Sequence, residues 1–159
     1  MSCELHIFCE VRNKKTGKWK QVGKHFPVLS CKNGMYKTRH PFDWQSYSLF
    51  GFLADVRNYS GCTPISQPKG IPNNISHTIS KEWEEWRTTE GHSDSFLTLR
   101  ELLEFNYNKK FIDDRFGEDT YGKRITHKEH LGKRFFVHLK ELKKLGKPDD
   151  VRIVFWFDN

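Results

Sequence analysis

The chain has 159 residues, a net charge of +7, and 13 Phe, 5 Trp and 5 Tyr. That length suits one domain with one core, and the aromatic content excludes a disordered chain. There is no apolar run long enough to span a membrane, MSCELHIFCE lacks the regions of a signal peptide, and the four cysteines show no C-x-x-C spacing, so a cytoplasmic protein with reduced thiols is expected.

The charge is uneven. Residues 1–40 hold nine Lys/Arg against two Glu, and the remainder is balanced. The lysines fit a solvated hairpin and match no helix-turn-helix, zinc-finger or RNP pattern, so nucleic acid is not the expected partner.

Residues 3–11 alternate, with Cys3, Leu5, Ile7, Cys9 and Val11 on one face and Glu4, His6, Phe8 and Glu10 on the other. The alternation predicts a strand with one buried face. A turn at 13–17 returns the chain through Trp19–Val22 as a hairpin, and Lys32-Asn33-Gly34 marks a second turn. Asp43 is placed to cap a helix reaching Val56. KEWEEWR after Ser80 reads as a short helix, with Trp83 and Trp86 on its core side. GHSDS at 91–95 reads as a polar turn, and Thr98-Leu-Arg-Glu101 has the form of a capping box. Residues 106–128 read as a loop or irregular hairpin. An apolar stripe over 129–145 predicts a helix that Gly146 and Pro148 stop. VRIVFWF at 151–157 is apolar on both faces, which suits a central strand. Together these predict a single α+β domain over 1–159. It has a mixed or antiparallel sheet, an N-terminal hairpin, a C-terminal central strand and three to four packing helices.

The stretch from Leu53 to Ser76 is long, has no period, and carries three prolines beside Arg57, Asn58 and Lys69. A connection of this kind is expected to be an ordered binding loop for a small anionic ligand. Arg57 and Lys69 suit phosphate, one as a fork and one as a point charge. In GHSDS, His92, Ser93 and Ser95 are hydrogen-bonding groups for the same ligand, and Tyr47 or a tryptophan is the candidate cover for a base. His92 is the candidate acid–base if bonds are broken. Glu4, His6 and Glu10 share one strand face and are the candidate ligands for a divalent metal; no other cofactor is expected. No GxGxxG, Walker A, HExxH or deaminase pattern is present, which removes those common enzyme classes.

CELH at 3–6, YSLFGFLADVRN at 47–58, PISQPKGIP at 64–72, GHSDSFLTLREL at 91–102 and DVRIVFWFDN at 150–159 resemble, in the same order, a family of small proteins common in bacteriophage genomes. Its members tend to read CDIH, LADVRN, P-I-x-x-PRG-x-P, GHSHSWLTL and VR-x-VFWFDN. Here Glu4 replaces Asp, Lys69 replaces Arg and Asp94 replaces the second His. The resemblance implies a phage protein acting in the cytoplasm of an infected bacterium. By analogy with phage counter-defence factors, it implies one that binds and sequesters a small phosphorylated, nucleotide-derived immune signal. The alternatives are a phosphoesterase that cleaves such a signal and an inhibitor of a host defence protein. A pocket built from the loop and GHSDS is expected, with Arg57 and Lys69 facing His92, and a homo-oligomer is expected from deep capture.

Overall fold

The computed structural model describes residues 2–23, 26–27 and 37–159. The strands are β1 (Glu4–Arg12), β2 (Trp19–Gln21), β3 (Phe26–Pro27), β4 (Lys37–Thr38), β5 (His92–Thr98), β6 (Lys110–Ile112), β7 (Arg124–Thr126) and β8 (Val151–Asp158). The helices are α1 (Tyr47–Ala54), α2 (His77–Arg87), α3 (Leu99–Glu104), α4 (His127–Leu131) and α5 (Lys133–Lys143). The domain is α+β, around an antiparallel sheet in the order β2-β1-β8-β5, with small β3-β4 and β6-β7 ribbons. The expected turn at Lys32-Asn33-Gly34 lies outside the described residues. No described helix is long and apolar enough to cross a membrane.

β8 is the centre, as its two apolar faces predict. It pairs with β1 from Glu4↔Asp158 to Val11↔Val151 and with β5 on its other side, and all eight of its residues are buried. One face of the sheet, with Leu5, Ile7, Cys9, Leu97, Ile153, Phe155 and Phe157, joins a large core with Phe50, Phe52, Leu53, Leu102, Phe135 and Leu142. The other face carries Phe8, Val154 and Trp156, covered by Ile79, Trp83 and Trp86 from α2. The expectation of one buried face on β1 is therefore corrected. α2 covers the second face, and Glu10 there is fully buried. Its carboxylate accepts from Arg152 Nε at 2.7 Å and from the Ser76 backbone N–H at 2.7 Å, while Arg152 also reaches Asn74. A buried charge tolerates that position only with such partners.

Four helical regions are where periodicity placed them, with different ends. Ser46, not Asp43, caps α1 by accepting from the Leu49 N–H. The helix stops at Asp55, whose φ of 60° is left-handed. Gly51 lets Asn58 pack against α1; a Cβ there would lie 2.7 Å from Asn58 Oδ1. α2 begins at His77, four residues before KEWEEWR. Thr98 and Glu101 form the capping box of α3, an arrangement whose cap side chain contributes about 1 kcal/mol. The final helical stretch divides at Gly132, φ 78°, into α4 and α5, and Thr126 with Glu129 adds a second capping box. GHSDS is not a turn. It is the start of β5, with a bulge between His92 and Ser95 and Ser93 at φ 55°.

Candidate functional site

The second half of the long loop does meet GHSDS, as a seam in which each polar group satisfies another. Lys69 N–H donates to Ser95 Oγ at 3.0 Å, Gly70 N–H to Asp94 O at 2.9 Å, and Ile71 N–H to Asp94 Oδ2 at 3.0 Å. These bonds cover the outer edge of β5, which the sheet leaves unpaired. Lys69 Nζ lies 2.9 and 3.0 Å from the Glu101 carboxylate oxygens and 4.2 Å from the Phe96 ring centre. His92 contacts Ser93 Oγ at 3.0 Å and Asn159 Oδ1 at 3.3 Å, with its ring over Phe157. Asn58 ties the loop entry together, bonding Asp55, Ser60 and Cys62.

A cleft of about 720 Å³ opens elsewhere, at the start of α1. Of the expected ligand-binding residues, Arg57 and Tyr47 line it; Asn58, Lys69, His92, Ser93 and Ser95 do not. This cleft therefore does not bring Arg57 together with Lys69 and His92; Lys69 is held by Glu101 instead. The residues proposed for metal also separate. Glu4 lines the cleft, His6 Nε2 is 2.7 Å from Asp158 Oδ2, and Glu10 is held by Arg152. Among the described residues, no group of three or more His, Cys, Asp or Glu is arranged to hold a metal ion. Trp83 and Trp86 pack on Trp156 and His6 as core.

Two turns and a helix end build the cleft. Ser46, Tyr47 and Ser48 come from the N-terminus of α1, and Arg57, Tyr59 and Ser60 from the chain just beyond its C-terminus. Asp114, Arg115, Phe116 and Glu118 come from the turn between β6 and β7. Arg57 has φ 49°, a left-handed conformation that costs a residue with a Cβ about 1–2 kcal/mol. Its guanidinium donates to Tyr59 Oη at 3.2 Å, and among the described residues no carboxylate pairs with it. Arg115 is fixed instead. It forks onto the fully buried Asp113 at 2.6 and 3.0 Å, and its Nη1 reaches Ser48 Oγ at 3.3 Å. Thr120 donates to the same carboxylate. The fork holds the Asp113 carboxyl well below the usual carboxylate range. The turn is thus pinned to α1, and its Phe116, 89% exposed, is part of the cleft lining.

The aromatic rim is concentrated. Tyr47, Tyr59 and Phe116 are exposed around the cleft, and Tyr121 packs edge-on against Phe116. Cys3 reaches the cleft wall, but it is buried and its thiol is pushed up, chiefly by that burial, so it is a poor nucleophile. Ser60 Oγ lies 3.2 Å from Asn58 Oδ1 and 3.1 Å from His130 Nε2. Burial, with Arg115 nearby, lowers His130 to about 4, so the imidazole is neutral at pH 7.

The sequence drew attention to Arg57 and Tyr47 but not to Tyr59, Ser60, Arg115 or Phe116. The available signal was an aromatic beside glycine in a polar turn, Phe116-Gly117, following an Asp-Asp-Arg run. No protein-family model, curated protein or solved structure matches the chain.

Proposed function

We propose that the protein binds and sequesters a small phosphorylated, nucleotide-type ligand in the cleft at the start of α1. One observation carries the reading. Arg57 is held in a strained left-handed conformation, has no carboxylate partner among the described residues, and lines the same cleft as exposed aromatic rings. Strain and a guanidinium without a carboxylate partner together suit anion binding, and rings with accessible faces suit a base. Ser46 and Ser48 add hydroxyls beside a helix N-terminus, where negative charge is favoured. The resemblance to phage proteins gives such capture a purpose, removal of a host immune signal. A second copy of the chain is proposed to close the cleft.

Native mass spectrometry of the protein with cyclic nucleotides and ADP-ribose derivatives tests this. Capture predicts a retained ligand, released intact on denaturation, and loss of the complex in Arg57→Ala. An unchanged complex in that variant would remove the cleft from the reading.

Cleavage has one foothold, the Ser60–His130 contact. A neutral imidazole beside a serine hydroxyl is the minimum of an activated nucleophile. Ser60 Oγ also faces Asn58 Oδ1, and donation there leaves no proton for His130 to accept. Capture is therefore the primary reading. Recovery of product from wild type, and of intact ligand from Ser60→Ala, would reverse that order.

A further inference from the structure

The polar groups that line the cleft differ in exposure and charge. Arg57, Ser46 and Ser48 are half-buried, and Glu4, Asp114 and Glu118 are exposed. Arg115 brings no surplus charge, because its guanidinium is matched by the buried Asp113. Among the described residues, Glu4, Asp114 and Glu118 have no ion-pair partner, and neither does Arg57. One cation without an ion pair thus shares the cleft lining with three carboxylates that also lack one.

This distribution sets how much charge an anionic ligand can bring. One phosphate charge can be matched by Arg57 and by the hydroxyls of Ser46 and Ser48. Every further negative charge finds no unpaired cation in the lining to receive it, and the carboxylates repel it. The carboxylates do suit another part of the same ligand. They are acceptors without donors of their own, and the sugar hydroxyls and exocyclic amines of a nucleotide are neutral donors. Tyr59 and Phe116 are exposed rings in the same lining, on which a base would stack.

We infer that the cleft selects a singly charged phosphodiester nucleotide, with its phosphate on Arg57 and its base and sugar at the rim, and rejects nucleoside polyphosphates. Glu4, Asp114 and Glu118 are the residues that set this specificity. The inference rests on the nucleotide reading above, and its failure is separable from the failure of that reading.

The test holds the base constant and varies the charge. The full chain is titrated by calorimetry with the four 3′,5′-cyclic nucleoside monophosphates and with the matching 5′-monophosphates and 5′-triphosphates, with and without magnesium. For the base that binds best, the cyclic form is expected to bind at least tenfold more tightly than its triphosphate. Asp114→Asn with Glu118→Gln is expected to raise triphosphate affinity several-fold and so to narrow the ratio between the cyclic form and its triphosphate. Both residues are exposed, and an unchanged thermal midpoint confirms that the variant is folded. A triphosphate that binds as tightly as the cyclic form, in either condition, overturns the inference and leaves the nucleotide reading standing. So does a ratio that the carboxylate variants do not move. If no member of the panel binds, or if binding survives Arg57→Ala, the nucleotide reading falls and the inference with it.

Discussion

The β5 seam and the α1 cleft hold similar residues in opposite conditions. At the seam, Lys69 is bound to Glu101, Asp94 to the Ile71 N–H, and Ser95 to the Lys69 N–H. At the cleft, Arg57 and the carboxylates of Glu4, Asp114 and Glu118 lack ion-pair partners among the described residues, and aromatic rings face outward. Both stretches look chemically rich in one dimension. Only hydrogen-bond accounting in three dimensions separates groups that hold the fold from groups left for a ligand.

Substitutions should therefore divide cleanly into those that unfold and those that unbind. The largest effect is expected for Glu10→Ala, which leaves Arg152 buried without its partner. Such a loss costs about 3–5 kcal/mol, read as a lower denaturant midpoint. A chelator should leave the wild-type midpoint unchanged, whereas a chelator effect that matched the substitution would restore the metal role of Glu10.

Next comes Arg57→Gly. Removing the Cβ relieves the left-handed strain, so stability should hold or rise by up to about 1 kcal/mol. Ligand affinity should fall about tenfold or more, the scale of one charge-assisted hydrogen bond. A variant that lost stability and kept its ligand would invert the comparison. Asp94→Ala makes the opposite prediction. The Ile71 N–H loses its acceptor, which costs about 1–3 kcal/mol, while affinity for any cleft ligand stays the same.

The smallest expected effect is a pH dependence. Burial lowers His130 from 6.5 to about 4, and His138 and His40 shift in the same direction for the same first reason. A histidine depressed in the folded state contributes stability that is present above 6.5 and lost as pH falls toward 4. The thermal midpoint should decline across that window, and His130→Asn should flatten the decline. Asp113, held low by Arg115, stays charged throughout it, so the turn that carries Phe116 remains anchored while the histidines titrate.

Much of the fold was legible because period and capping are local. The alternation of residues 3–11, the unbroken apolar run of β8 and the Thr98–Glu101 box each announced their element. Asp43 and Ser46 are both good caps, and only the position of the first turn decides between them. β5 was hidden because its opening His-Ser-Asp-Ser faces a covering loop, so burial there is polar and leaves no apolar alternation. The cleft was half legible. Arg57 and Tyr47 belong to a recognisable stretch, but Arg115 and Phe116 sit in a turn whose meaning comes from the Asp113 fork and from the start of α1, where Ser48 lies 67 residues from Arg115 in the chain.

The position of β8 also bears on how the molecule is made. Synthesis delivers β1 and β5 long before residues 151–158, yet both of them pair with β8. Until that segment emerges, β1 has, among the described strands, only the three residues of β2 as a sheet neighbour, and β5 has none. The β1–β8 contacts, separated by roughly 150 residues, must then form late and together, leaving two incompletely paired strands open to chaperones or to wrong partners in the interval. Helices α1 and α3 carry their own side-chain caps, yet their packing partners, α4 for α1 and α5 with β8 for α3, also come later in the chain, so they too wait for it to be completed.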